Sequence, residues 1–340
     1  MEVNSRDDDG CTPLLLALLT RKYDVAQLLL NRGADAQVRD KSGRTSLHLA
    51  ATNGHLDVVQ ILLVDCNAEV NSKDNRGSTP LLLASQNGKH DVVRLLLSHD
   101  ADARLNDNCG DTPLHLAVGS GNFEVALMLL GHNVEVNARN NDGYTPFARA
   151  SRSGKHKVIQ LLLDHKADAQ VCDSTGNTPL HHAAKSGCLE VVRKLLELNA
   201  EINSPNCNGS TPLLLASENG HTAVLQLLLD HNADLHVRDG NGNTSLHYAA
   251  RGRTLEVVSI LLGLNVEINS RNVDGQTPLH RATAKSTVDI MDLEVMRLLL
   301  NHGADVQARD FKGKTASELV RVTGSDKEKI VKLYSQHASG

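Results

Sequence analysis

One eight-residue stretch recurs along this chain at a nearly constant interval, and that regularity limits the possible folds more than any other property. Its fullest copy is Gly110-Asp111-Thr112-Pro113-Leu114-His115-Leu116-Ala117. Close copies start at Gly10, Gly43, Gly77, Gly143, Gly176, Gly209, Gly242 and Gly275, and a worn copy starts at Gly313. Most steps are 33 residues, the step from Gly43 to Gly77 is 34, and the step from Gly275 to Gly313 is 38. A fixed period of this size means a stack of small units, each leaning on its neighbours. The 340 residues therefore read as a single array over 1–340, not as the two or three domains that length alone suggests.

Each residue of the stretch has a local task. The Gly follows an Asp or Asn cluster, as in Arg39-Asp40-Lys41-Ser42-Gly43, and permits the positive φ of a tight turn. Thr caps the next helix, and Pro stands in its first turn, where no backbone N–H is missed. Leu and Ala face inward. A second apolar helix follows, as in Val58-Val59-Gln60-Ile61-Leu62-Leu63. It ends at a residue suited to left-handed backbone, such as Gly33, Asn67, Asn133, Asn199 or Gly303; Asp100 and Lys166 break that rule.

Turn, helix, turn, helix and extended finger in this order resemble the ankyrin repeat, whose signature is Thr-Pro-Leu-His-x-Ala with a period of 33. The resemblance runs from about Glu2 to about Gln336. It implies an all-α, ankyrin-repeat solenoid of stacked helix-turn-helix pairs with extended β-turn fingers, about ten pairs in all. It also implies a concave face of fingers and first helices that binds other proteins, and it supplies no catalytic residues. In that family the signature histidine hydrogen-bonds across to a neighbouring finger.

Two kinds of repeat alternate. At the histidine position stand Leu15, His48, Leu82, His115, Ala148, His181, Leu214, His247 and His280. Fingers alternate between Ala-Asp, as at Ala34-Asp35 and Ala101-Asp102, and Glu-Val/Ile-Asn, as at Glu69-Val70-Asn71 and Glu201-Ile202-Asn203. The duplicated unit is thus a pair of repeats, about 66 residues long. The C-terminus reads as a cap, with a poor first helix over Lys314 to Val322 and a charged second one over Asp326 to Gln336. Lys327, Glu328, Lys329, Lys332 and Gln336 form its polar face. The N-terminus lacks such a cap: Glu2-Val3-Asn4-Ser5 copies Glu69-Val70-Asn71-Ser72, and Leu18 and Leu19 are expected to be partly exposed or covered by something else. Three irregularities remain. One residue is added near Val64-Asp65-Cys66. Five are added within Ala284 to Asp292, read either as a tolerated surface-loop insertion or as a projection at the groove rim carrying Ile290 and Met291. Arg21 and Arg253 replace a helix-turn glycine.

Composition excludes several function classes. A net charge of −5 and 2% aromatic residues give neither the basic surface nor the stacking platforms of a nucleic-acid binder. The apolar runs are too short to span a bilayer. The opening residues lack a signal peptide, and six scattered cysteines without a Cys-x-x-Cys pair read as reduced thiols, so an intracellular protein, cytoplasmic or nuclear, is expected. Most of the 17 histidines are periodic. Stacked layers lie roughly 8–10 Å apart, too far to share one zinc ion whose ligands stand at about 2 Å. Gly313-Lys314-Thr315 lacks the earlier glycine of a phosphate loop. No metal, cofactor, small-molecule ligand, membrane or nucleic-acid partner is expected, and no enzyme activity.

What remains is the variable surface: finger tips, the residue after the signature Gly, and the residues ending the first helix. The fifth repeat is the most unusual there. Tyr144 follows its Gly, and Arg149 and Arg152 are spaced three apart and share a helix face. Arg139, Lys155 and Lys185 extend this basic area; Tyr248 and Arg251 take comparable places in the eighth repeat, and Arg281 takes that of Arg149 in the ninth. Tyr and Arg are the residues most enriched at binding hot spots. The candidate protein-binding residues are therefore Tyr144, Arg149, Arg152, Lys185, Tyr248 and Arg251. The partner is another protein, acidic near repeats five and six. The chain is either a free-standing scaffold or the targeting region of a larger enzyme or signalling protein.

Overall fold

The structure, a computed structural model, describes residues 2–283, 290–320 and 325–337, and the side chains of all of these except 290 and 325–327. Nine helix pairs follow one another among the described residues, from Pro13–Leu19 with Tyr23–Asn31 to Pro278–Thr283 with Ile290–Asn301. A 3-10 turn at Ser317–Leu319 and the helix Ser325–His337 close the order. The only β pairing among the described residues is a single bridge between Arg309 and Thr315. The chain divides into two compact units, Met1–Asp173 and Ser174–Gly340. Within each, every first helix packs on the first helix of the next repeat, and every second helix packs on its own first helix and on its successor.

The signature explains the local geometry. Thr12, Thr79, Thr112 and Thr145 accept the N–H of the third helical residue, and Pro13, Pro80, Pro113 and Pro146 occupy the first helical position. At finger tips an Asp or Asn carboxylate or amide oxygen accepts two backbone N–H groups; Asp107 takes those of Cys109 at 2.9 Å and Asp111 at 3.0 Å. Gly110 turns the finger at φ +79°, and a Cβ there would stand 2.8 Å from the amide nitrogen of Asn141 in the next finger. The core is a series of thin layers, each made of Leu, Ala and Val such as Leu114, Ala117, Val125 and Leu129, all at 1% exposure or less.

The added residue near Cys66 is absorbed at the helix end. Elsewhere the finger alanine closes the second helix by a bond to the fifth residue back, as Ala101 does to Leu96 at 3.0 Å. Ala68 instead reaches the sixth, Leu62, at 2.8 Å, so the closing turn is widened by one residue. The five added residues fall largely on 284–289, outside the described residues, and the side chain of Ile290 is outside them as well. Met291 is exposed, and the helix that begins at Ile290 is twelve residues long, where most of the other second helices have nine.

The expectation for Leu18 is corrected. Leu18 is fully buried, and only Leu19 is partly exposed, at 40%. Leu18 occupies the place of Ala51, Ser85, Val118 and Ser151, which face their own layer and are all buried. The face that would meet a preceding layer is set by other residues: Val25 is 45% exposed, while its counterparts Val58, Val92, Val125 and Val158 are at 1%. In the helix Ser325–His337, Ile330, Leu333 and Tyr334 are buried, and Glu328, Lys329, Lys332 and Gln336 are exposed, as the sequence pattern predicts for these polar residues. Val322 and the side chain of Lys327 lie outside the described residues.

Arg21 and Arg253 both adopt the left-handed backbone of the glycines they replace, at φ 57° and 63°. An L-residue is held there at a cost of about 1–2 kcal/mol. The two differ in compensation. Arg21 is exposed and makes no side-chain bond among the described residues. Arg253 pairs through Nε with Asp292 Oδ1 at 3.2 Å, and the Asp292 side chain is fully buried. Arg21→Gly should therefore raise stability by about 0.5–1 kcal/mol. Arg253→Gly should lower it by about 1–2 kcal/mol, because a buried carboxylate loses its counter-charge. Urea melts of the two variants against the parent check this; an Arg253→Gly variant stabilised as much as Arg21→Gly would show that the ion pair contributes nothing.

Candidate functional site

In the first unit, finger residues and first-helix ends of repeats three to five enclose a cleft of about 470 Å³. Tyr144, Arg149 and Arg152 line it together with Asp111, Asp142 and Cys109. Of the sequence-predicted residues, these three are brought into one place. Lys185, Tyr248 and Arg251 belong to the second unit and are described there.

The arginines of the cleft are not equivalent. Arg149 stands four residues after the capping Thr145, where the earlier repeats carry Leu49, Leu83 and Leu116. Its stem crosses Gly119, which has no side chain in the way, and its guanidinium pairs with Asp111 of the preceding repeat. The Asp111 side chain is only 7% exposed, and its other oxygen accepts from Asn140 Nδ2 at 2.9 Å. Arg149 is therefore part of the wall, with its guanidinium already held by a carboxylate of its own chain. Arg152, one turn further on, is exposed and makes no side-chain bond among the described residues. Tyr144 is half-buried, and its carbonyl accepts from His115 Nε2 at 3.0 Å.

The second unit repeats the device with other chemistry. Tyr248 holds the place of Arg149 and reaches back to Ser210, which holds the place of Asp111; each pair is 38 residues apart. The Tyr248 hydroxyl donates to Asp239 Oδ2 at 2.9 Å, and lies 2.7 Å from the Ser210 hydroxyl, which donates to it. Burial, with the Asp239 carboxylate beside it, pushes its pKa up to about 12. Arg251 pairs with Glu218 at 2.8 Å, while Lys185 is exposed and makes no side-chain bond among the described residues. Arg281, again at the place of Arg149, is half-buried, and burial followed by the nearby Arg251 charge lowers its pKa.

Sequence reasoning missed Asp111 as a partner of Arg149, although the recurring 38-residue offset was a signal that could have found it. It also placed Arg139 on the open basic area. The Arg139 guanidinium instead donates to the Cys172 carbonyl at 2.8 Å, as Arg39 does to Lys73 at 2.6 Å and Arg238 to Arg271 at 3.0 Å. These arginines staple successive fingers. Lys155 is exposed with its stem over Gly121.

A family model described as ankyrin repeats (3 copies) matches residues 1–74, 63–140, 132–206 and 198–272, and a single ankyrin repeat model matches residues 274–311. The chain belongs to the ankyrin repeat family. Its curated relatives include the nuclear factor NF-kappa-B p105 subunit of Rattus norvegicus, 42% identical over 66 residues, which are 19% of this chain and 7% of that protein. Inversin of Gallus gallus is 41% identical over 63 residues, 18% of this chain and 6% of that protein. NF-kappa-B inhibitor alpha of Gallus gallus is 39% identical over 64 residues, 19% of this chain and 20% of that protein. The matches thus span a fifth or less of these relatives' own lengths.

The ankyrin signature histidines are structural here. Nδ1 of His48 accepts from the Thr45 hydroxyl at 2.8 Å and lies 3.2 Å from the Thr45 N–H, while Nε2 donates to the Ser78 carbonyl at 3.0 Å. A carbonyl can only accept, which fixes the neutral tautomer. His115, His181, His247 and His280 repeat the arrangement onto the carbonyls of Tyr144, Ser210, Gln276 and Lys314. His132, His165, His231 and His302 instead donate to the carbonyl four residues back and close their second helices. Among the described residues no group of three or more His, Cys, Asp or Glu could hold a metal ion, and no helix is long and apolar enough to cross a membrane. All six cysteines are free thiols.

Burial lowers the pKa of His48, His115 and His280, and lowers that of His247 to about 4. In the unfolded chain an imidazole takes its proton near pH 6.5. The unfolded state therefore binds more protons as pH falls below that value. The stability these four histidines contribute is fully present above about pH 6.5 and is lost as pH falls below it; for His247 the loss runs down to about pH 4, at up to roughly 1.4 kcal/mol per pH unit. His247→Leu, which installs the residue that repeats one, three and seven carry, should flatten the fall in melting temperature across this window; an unchanged slope would assign the acid lability to other groups. For the cleft, Arg149→Ala should cost about 1–3 kcal/mol by stranding Asp111, and Arg152→Ala less than about 0.5 kcal/mol. Equal losses in a chemical melt would contradict the division between wall and open residue.

Proposed function

We propose that this ankyrin array is a non-catalytic binding module that holds another protein against the fingers and first helices, with the cleft at Tyr144 and Arg152 as one contact. The observation that carries the reading is the exposed Arg152 side chain, unpaired among the described residues and lining one cleft with Tyr144 and the Arg149–Asp111 pair. A planar fork of donors suits a carboxylate on the partner. Tyr144 adds contact area at low entropic cost. The relative named as an inhibitor of NF-kappa-B supports the view that repeats of this kind act by engaging another protein. Lys185, Tyr248 and Arg251 are a weaker part of the proposal, since Tyr248 and Arg251 already serve neighbours in their own unit.

A second reading is that the chain is the recognition region of a larger enzyme or signalling protein, in cytoplasm or nucleus. It is favoured by the small share of the p105 subunit and of Inversin that the matches occupy, 7% and 6%. An antibody against this chain would separate the two, by detecting in native extract either a polypeptide near 36.7 kDa or a much larger one.

The binding proposal is tested by capturing a partner from native extract and measuring its affinity for purified variants. Tyr144→Ala and Arg152→Ala should each weaken binding tenfold or more, about 1.4 kcal/mol, with a melting temperature within a degree or two of the parent. Unchanged affinity with a normal melt would move the binding surface away from this cleft.

A further inference from the structure

The finger tips share one position that the fold leaves chemically open. Its backbone N–H donates to a carbonyl of the preceding finger: Asn75 to Ser42 at 2.9 Å, Asn108 to Arg76 at 2.9 Å, Val273 to Asn241 at 2.9 Å and Phe311 to Asp274 at 2.9 Å. In the first unit the side chains there are Lys41, Asn75, Asn108 and Asn141. The three asparagines form a ladder, each amide donating to the main-chain carbonyl at the same position of the finger before it, at 2.9–3.1 Å. In the second unit the row ends in Val273 and Phe311, which can form no such bond.

These two are the most exposed of the large apolar side chains described, at 58% and 73%. They stand on adjacent fingers joined by the Phe311 to Asp274 bond. Phe311 is anchored at its base: a Cβ on Gly275 would lie 2.7 Å from its Cδ1, so the ring rests on the preceding finger and keeps most of its surface in water. Two large apolar side chains exposed on adjacent tips, at a position that elsewhere carries Lys41, three asparagines, Ser174, Cys207 and Gly240, mark a contact surface.

The charges around them decide what kind of contact. Lys312 and Lys314 are exposed and make no side-chain bond among the described residues. The neighbouring acids are mostly committed. Asp310 is buried and accepts the N–H groups of Lys312 and Lys314 at 2.9 Å each. Glu318 accepts the Thr315 N–H at 2.8 Å and pairs with Arg309 at 3.6 Å. Asp274 is the one exposed carboxylate on the preceding tip. We propose that Val273 and Phe311, with Lys312 and Lys314, form a docking edge for an acidic protein segment that carries a large apolar side chain. The proposal rests on the reading of the chain as a protein-binding module but uses a surface distinct from the cleft. An anionic membrane is disfavoured, since two side chains and two lysines fall short of the paired signals that stable anchoring needs.

The test uses random 16-residue peptides displayed on phage, selected on the full chain and counter-selected on the Val273→Asn/Phe311→Asn double variant. Asn already fills this position three times in the first unit, so the variant is expected to fold, and its melt verifies that. Selected peptides should be rich in Asp and Glu with Leu, Ile, Phe or Trp. A synthetic copy should bind the double variant at least tenfold more weakly and the Lys312→Ser/Lys314→Ser variant several-fold more weakly. It should bind Arg152→Ala as it binds the parent. Should the double variant unfold, Val273→Asn alone and the lysine variant carry the same comparison. No enrichment over the double variant, or enriched peptides without acidic residues, overturns the proposal. So does Phe311-dependent sedimentation with phosphatidylserine vesicles, which would point to a membrane, or a Phe311-dependent dimer in ultracentrifugation, which would point to a second copy. Peptides lost on Arg152→Ala but kept on Phe311→Asn overturn this edge and leave the cleft reading standing.

Discussion

The bond from a buried imidazole to the carbonyl of the next finger is the interaction on which the stacked layers depend. A layer of Leu, Ala and Val only two helices thick cannot enclose its own polar backbone, so the extended fingers must be satisfied by neighbours. His48 does this for the finger at Ser78, and His115, His181, His247 and His280 do it in turn. The same ring ties its own helix start to the capping Thr, so one side chain fixes both the entry of a helix and the position of the following finger.

This dependence accounts for the alternation of repeats. Repeats with Leu15, Leu82, Ala148 and Leu214 have no imidazole to offer. Across each of them the joint is made by asparagine instead: Asn4, Asn71, Asn137 and Asn203 accept the N–H of Asp35, Asp102, Asp168 and Asp234 at 2.8–2.9 Å. Histidine joins helix to finger, and asparagine joins that finger to the next. The two devices take turns, and neither is complete alone, which is why the sequence repeats in pairs. The ninth repeat departs from the pattern by carrying His280 directly after the His247 repeat, and there the Asn269 to Asp305 joint and the His280 to Lys314 joint fall in the same layer.

Legibility in the sequence follows the range of each interaction. Helix starts, turns and inward faces were readable because Thr, Pro, Gly and Leu act within one turn of themselves. Positions whose meaning lies in another layer were not. Leu18 looked like a terminal residue awaiting cover, yet it faces its own layer. Arg149 looked like an exposed hot spot because that position varies between copies, yet its partner Asp111 lies 38 residues earlier and Gly119 was needed to let it pass. Arg139 looked like an extension of the same basic face, yet it staples a finger. In a repeat protein, variation between copies shows only that the fold's minimum does not need a given residue. It does not show that the residue is idle, because neighbouring layers can vary together.

That distinction sorts the variable surface by geometry. Side chains four residues past the capping Thr, such as Arg149 and Tyr248, point back over the preceding repeat and find polar partners there. Side chains seven residues past it, such as Arg152 and Lys185, stand one turn further out and remain exposed. Arg251 and Glu218 at that same place pair with each other only because adjacent repeats happen to carry opposite charges. The tip position behaves like the outer one: it is polar and self-satisfied where asparagine follows asparagine, and it is left facing water where valine and phenylalanine follow instead. Each exposed departure therefore costs the array little, since no layer is held through it, and a binding surface can change along such positions while the histidine and asparagine joints beneath stay the same.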